Sequence, residues 1–194
     1  MAKGMLKFYF AYNSPYSFLG NTRIEKAVKR FDLEIERSPI YSPRGSGGGG
    51  PDFTSPKFKY LFKDIERFAD LYDLKLNPGP FADTGKACRG FFFAREKGCE
   101  KAYHDAVYSA RWLEGKDIGD EAVLGDIAEK CGLDRKEYLA AVDHSKYSAA
   151  LDASNKAGES DEVFGFPTFI IDGEKFWGND RIELLVRHLE KTKG

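Results

Sequence analysis

The chain has 194 residues, with 30 basic and 31 acidic side chains and a formal charge of −1, enough for one domain with a substantial core or a small domain carrying a large insertion. The near-cancellation of charge argues against nucleic acid and anionic membrane as bulk partners, and no apolar run approaches the length of a bilayer span. Three widely spaced cysteines, Cys88, Cys99 and Cys131, form no Cys-x-x-Cys pair, so neither a disulfide framework nor a zinc knuckle is expected and the chain reads as cytoplasmic.

Taken in order, Leu6-Lys7-Phe8-Tyr9-Phe10-Ala11 is short and aromatic-rich and predicts a buried strand. The apolar stretch after Lys3 and Lys7 is too short and interrupted for a signal peptide. Tyr16, Gly20, Ile24, Ala27 and Phe31 then recur at helical spacing, with Ser14 suited to the N-cap and Pro15 to the first helical position. Asp32 to Arg37 alternates apolar and charged residues, as an edge strand does, and a strand–helix–strand order implies a parallel pair. The Pro- and Gly-rich stretch from Ser42 to Pro51 predicts a solvated loop; it lacks the Gly-Lys-Ser/Thr ending of a phosphate cradle.

From Lys57 to about Lys156 the pattern is helical. Phe58, Leu61, Phe62, Ile65, Ala69 and Tyr72 form one apolar stripe, and Asn77-Pro78-Gly79-Pro80 breaks it. Gly98 and Gly115 stand where left-handed caps would end two further helices. Val123, Leu124, Ile127, Ala128 and Cys131 make another stripe before Gly132, and Asp134 with Glu137 forms a capping box. Strands return with Thr168-Phe169-Ile170-Ile171 and Glu174-Lys175-Phe176-Trp177 around an Asp172-Gly173 turn, followed by a helix with Ile182, Leu185, Val186 and Leu189 on one face. This is the order of an α/β thioredoxin-like fold with an inserted all-helical domain: residues 1–44 and 164–194 the thioredoxin-like part, 45–163 the insertion.

Three constellations carry chemistry. Tyr12-Asn13-Ser14-Pro15-Tyr16-Ser17 places a serine hydroxyl at a strand-to-helix junction, facing the positive end of a helix dipole. That is where a thioredoxin-type protein carries its Cys-x-x-Cys pair, and both cysteine positions here are serine, Ser14 and Ser17. Phe164-Gly165-Phe166-Pro167-Thr168 puts a proline directly before a strand, where that architecture uses a cis bond opposite the active-site helix. In Phe176-Trp177-Gly178-Asn179-Asp180-Arg181, Asp180 can hold a ligand ammonium beside the N–H groups of a helix start, or simply cap the helix together with Glu183.

Together these motifs resemble the 2-hydroxychromene-2-carboxylate isomerase family, related to the kappa-class glutathione transferases and more distantly to DsbA-type oxidoreductases. Pro56-Lys57-Phe58-Lys59-Tyr60 and Trp112-Leu113-Glu114-Gly115-Lys116-Asp117-Ile118 extend the likeness over nearly the whole chain. The resemblance implies glutathione as cofactor, a homodimer, and no disulfide exchange. Ser14 falls where the family's catalytic serine meets the glutathione sulfur. Phe166, before Pro167, falls at the cysteinyl part, and Asn179 and Asp180 fall at the γ-glutamyl end. Lys57 matches the lysine that meets the glycine carboxylate, with Lys59 a close competitor, and Ser17 has no chemical role. His104, His144 and His188 match no functional position and read as surface or structural; no cluster supports a metal. The implied reaction is reversible addition of a thiolate to an unsaturated or aromatic acid, giving isomerisation; a kappa-like transferase and a non-catalytic peptide-binding module are the alternatives. Two places depart from the family. The glycine run replaces an expected asparagine, and Asp83 puts a carboxylate where an amide or small polar residue is expected, facing an anionic substrate.

Overall fold

The computed structural model describes residues 4–41, 52 and 54–193; the glycine run at 45–50 lies outside them. Two compact units partition the chain: Met1–Ile40 with Ala153–Gly194, and Tyr41–Asp152.

The first unit is built on a four-stranded sheet of β1 (Gly4–Phe10), β2 (Leu33–Pro39), β3 (Thr168–Ile171) and β4 (Glu174–Trp177), in the order β2-β1-β3-β4. β1 runs parallel to β2 and antiparallel to β3, and β3 and β4 form a hairpin. The Asp172-Gly173 turn has φ of 51° and 82°, the double positive φ that matches the twist of its flanking strands. Side chains alternate across the sheet. Leu6, Phe8 and Phe10 point to one face, fully buried, with Phe8 stacked on Phe169 at 4.9 Å. Helices α1 (Pro15–Val28) and α8 (Ile182–Lys193) pack together on this face, to which Ile24, Leu185 and Leu189 contribute fully buried side chains. The other face carries Lys7 and Tyr9, covered by the second half of α7 (Ser145–Ser160). There the Ser154 hydroxyl donates to the Pro39 carbonyl at 2.8 Å, and Lys7 Nζ (2.6 Å) and the Tyr9 hydroxyl (2.7 Å) both donate to Asp161 Oδ2.

The second unit holds α2 (Pro56–Leu71), α3 (Gly85–Glu96), α4 (Glu100–Trp112), α5 (Glu121–Lys130), α6 (Arg135–Val142) and the first half of α7. Gly98, Gly115 and Gly132 take φ of 76°, 71° and 80°, so all three expected helix-ending glycines are left-handed. Asp134 caps α6, accepting from the Glu137 N–H at 2.7 Å. At the centre, the Tyr103 hydroxyl donates to the Ala87 carbonyl at 3.1 Å, which leaves Tyr138 to donate to Tyr103 at 2.6 Å. Gly90 makes room for this pair: a Cβ there would lie 2.3 Å from the Tyr138 oxygen. Of the stripe expected on α2, Ile65 and Ala69 are buried, Phe58, Leu61 and Tyr72 half-buried and Phe62 exposed; Tyr60 and Leu71, outside the stripe, are exposed as well. Among the described residues, no helix is long and apolar enough to cross a membrane.

The Lys7–Tyr9–Asp161 cluster gives the first unit a pH-dependent contribution. The two donors hold the Asp161 carboxyl below its usual range. A carboxyl whose folded pKa is depressed adds stability above the unfolded value of about 3.9, and that stability is lost as pH falls through the lower folded value. Replacing Asp161→Asn should cost about 1 kcal/mol near pH 7, given partial solvent screening. Urea midpoints measured from pH 7 down to pH 3 should fall less steeply in the variant than in the wild type; parallel curves would mean the cluster is energetically neutral.

Candidate active site

The chain leaves β1 at Phe10, turns with the Ser14 N–H donating to the Ala11 carbonyl (3.0 Å), and enters α1 at Pro15. Ser14 is extended, with φ −89° and ψ 113°, and caps the helix by accepting from the Ser17 N–H at 3.1 Å. Its proton goes elsewhere, because the Ser14 hydroxyl donates to the Phe166 carbonyl at 3.2 Å. With its accepting side engaged by the backbone, the hydroxyl faces the neighbouring loop as a donor. Ser14 is half-buried and so reachable, whereas Ser17 is fully buried and its oxygen faces the Ala11 N–H at 3.4 Å. Ser17 is therefore part of the packing of α1.

The Phe166–Pro167 bond is cis, as the motif predicts. Two contacts hold the loop. The Pro167 carbonyl accepts from the Gly178 N–H at 2.9 Å, which ties the loop to the end of β4. On the other side α1 comes close at Gly20, where an added Cβ would lie 3.1 Å from Pro167 Cγ and 3.3 Å from the Phe169 ring. A larger residue at position 20 would push helix and loop apart and lengthen the Ser14–Phe166 contact.

Asn179 and Asp180 sit in a single 3-10 turn, Asn179–Arg181, directly before α8. Asn179 is buried and Asp180 is exposed, paired with its neighbour Arg181 at 3.1 Å. The capping box expected from Asp180 and Glu183 is not formed: Glu183 instead accepts from the Arg23 guanidinium on α1, and Arg23 also donates to the Asn179 carbonyl at 3.3 Å. Sequence reading passes over Arg23 because a basic residue on the polar side of a helix reads as a solvated charge. Gly178 opens the turn with φ 114° and ψ 152°, and a Cβ there would lie 2.6 Å from Asp180 Oδ1.

Ser14, Phe166, Pro167, Asn179 and Asp180 thus all belong to the sheet unit. Lys57 and its competitor Lys59 belong to the helical unit, both exposed in the first turn of α2, which Ser55 caps by accepting from the Phe58 N–H at 3.3 Å. Asp83 is engaged locally. Its Oδ1 accepts from the Gly85 N–H (2.9 Å) at the start of α3 and from the Tyr41 hydroxyl (2.8 Å), and burial with this carboxylate pushes the tyrosine up to about 12. All three cysteines lie in the helical unit. Burial pushes Cys88 up to about 12 and raises Cys99 and Cys131, so none has the lowered pKa of a redox thiol. His104 is a core residue, fully buried against Phe91 and Tyr108; His188 packs on Phe176, and His144 accepts from the Lys146 N–H at 3.1 Å at the start of α7.

Comparison with known proteins fits this geometry. The family described as a DSBA-like thioredoxin domain matches residues 5–190. The 2-hydroxychromene-2-carboxylate isomerase of Pseudomonas putida is 30% identical over 186 residues, covering 93% of this chain and 92% of the relative. The protein of the same name from Sphingobium xenophagum is 31% identical over 194 residues, covering 95% and 97%. A solved selenomethionine structure of a 2-hydroxychromene-2-carboxylate isomerase superposes with a TM-score of 0.86 at 28% identity, covering 97% of this chain and 95% of the other.

The turn at 178–180 gives a direct test of this geometry. Gly178→Ala places a side chain in a positive-φ conformation and against the Asp180 carboxylate, and should cost at least about 1 kcal/mol. Chemical denaturation measures it; a midpoint equal to wild type would mean the turn adopts another conformation in solution.

Proposed function

The chain belongs to the DSBA-like thioredoxin-domain family, and from that premise we propose that it is a glutathione-dependent isomerase acting on an unsaturated or aromatic carboxylic acid, as the names of its relatives suggest. The observation that carries this reading is the state of Ser14: a half-buried hydroxyl at the N-terminus of a 14-residue helix whose oxygen already accepts from the backbone and whose proton is donated to the Phe166 carbonyl of the facing loop. Such a group suits a neighbouring anion and cannot serve as a redox thiol. No cysteine stands at either position of the motif.

The residues present fit glutathione. The Ser14 hydroxyl, which donates to the Phe166 carbonyl, would turn its proton to the sulfur, and the α1 dipole favours negative charge at the same point. The Phe166 backbone, presented ahead of the cis bond, would pair with the cysteinyl part, while Asn179 and the Asp180 carboxylate would hold the zwitterionic γ-glutamyl end. Arg181 already neutralises Asp180, so a ligand ammonium would share or displace that ion pair. When bound, glutathione supplies a thiolate nucleophile able to add reversibly to an activated double bond, so that the bond can rotate. The chain's own part is to hold that sulfur ionised near neutral pH and to orient the tripeptide. A homodimer belongs to the same reading, with Tyr60, Phe62 and Leu71 of α2 offering apolar surface; a monomer mass by sedimentation at micromolar concentration would count against it.

The experiment is a titration of bound glutathione by thiolate ultraviolet absorbance, with isomer interconversion followed in parallel at catalytic glutathione. Ser14→Ala removes one hydrogen bond to a charged acceptor, worth roughly 1.5–3 kcal/mol, so the sulfur's pKa should rise by about one to two units while affinity changes little. Activity near neutral pH should fall with the thiolate fraction and partly recover at higher pH. Superimposable titrations would reduce Ser14 to a helix cap. Net consumption of glutathione during turnover would make the chain a transferase.

A further inference from the structure

We infer that Arg23 is a positioning residue for the glutathione head group, acting by clamping the 3-10 turn that carries Asn179 and Asp180 onto α1. The inference rests on the glutathione reading above and deepens it at the γ-glutamyl end. Arg23 sits one helical turn after Gly20, on the same face of α1. Gly20 lets that face approach Pro167, and Arg23 meets the next ligand-bearing segment. The arginine side chain is 24% exposed, so most of its length is covered. One terminal nitrogen donates to the Asn179 carbonyl at 3.3 Å and the other to the Glu183 carboxylate at the start of α8.

This fork spans both sides of the turn. The turn hangs from the cis-proline loop through the Gly178 N–H and Pro167 carbonyl (2.9 Å), and closes on itself through the Arg181 N–H and Gly178 carbonyl (3.2 Å). Arg23 supplies the connection to the helix that bears Ser14. Three residues with no direct path between them in sequence, Ser14, Pro167 and Asp180, are thereby referred to one rigid element. A guanidinium can make both contacts because its donors diverge in a fixed plane; an ammonium at the end of a lysine cannot match that geometry. Arg23 also places a permanent positive charge beside a turn assigned to a group that carries a carboxylate, and Glu183 orients it.

The test uses the intact chain as wild type, Arg23→Ala, Arg23→Lys and the milder Glu183→Gln, with glutathione itself as probe. Two quantities are read: amide hydrogen exchange in the absence of ligand, and glutathione affinity by calorimetry. In Arg23→Ala, exchange at 180–182 should quicken about tenfold or more while β1 and β3 amides keep their protection. Glutathione affinity should fall about tenfold to a hundredfold, the range for losing a charged hydrogen-bonding group. Arg23→Lys should restore only part of the affinity, and Glu183→Gln should shift both quantities in the same direction by less, which keeps the test alive if the alanine variant folds poorly. Unchanged turn exchange, or faster exchange with unchanged affinity, overturns the positioning role. Equal loss of protection across β1 and β3 makes Arg23 a general stabiliser and overturns it too. A wild-type chain that binds no glutathione sinks the cofactor reading, and the inference with it.

Discussion

The Ser14 hydroxyl lies 3.2 Å from a carbonyl 152 residues further along the chain, and much of the sheet unit serves to hold that distance. The contact needs α1 to start where β1 ends, the cis-proline loop to lie against the first turns of that helix, and β3 to begin directly after the loop. Each requirement has a local cause. Pro15 and the Ser14 cap fix the helix start, Gly20 removes the side chain that would hold the loop away, and stacked Phe8 and Phe169 set β1 beside β3. The hydrogen bond is weak in itself, about 1 kcal/mol net between neutral partners. Its significance is positional, since a donor kept beside an acceptor of modest strength can be given up to a charged one.

Most of this frame is legible in the sequence because it is written in short-range signals. The strand–cap–proline–helix junction, the Asp172-Gly173 hairpin, the left-handed glycines and the Asp134 cap each depend on residues within four positions of one another. The motifs around Ser14, Pro167 and Asp180 fall in the sheet unit, with the Ser14 hydroxyl on the Phe166 carbonyl. In the insertion, α2 and α5 are readable as amphipathic stripes and the ends of α3, α4 and α5 from their glycines, whereas α7 runs on to Ser160, past the expected end near Lys156.

What stayed hidden depends on partners far away in sequence. Asp180 and Glu183 have the spacing of a cap, yet Glu183 is drawn to an arginine 160 residues away and the helix opens on a 3-10 turn instead. Sequence gives no sign that the Gly85 N–H and the Tyr41 hydroxyl both engage one oxygen of Asp83. His104 is indistinguishable in sequence from a surface histidine, since burial between Phe91 and Tyr108 is a tertiary fact. The stripe on α2 shows the limit of periodicity: it gives the helix and its apolar face correctly, but it does not say how much of that face the chain itself covers.

The discontinuity of the sheet unit has a consequence for assembly. β1 pairs with β2 within about thirty residues, whereas its register with β3 joins Lys7 to Ile170. Closing that gap through an unfolded chain is entropically costly and slow. The intervening Tyr41–Asp152 is a contiguous compact unit of its own, in which α3 packs on α4 and also on α6. During synthesis β1, β2 and α1 emerge long before β3, β4 and α8, and until those arrive one side of β1 lacks its neighbour and Ser14 lacks its carbonyl. The contact between Ser14 and the Phe166 carbonyl is therefore among the last that the sheet unit can complete.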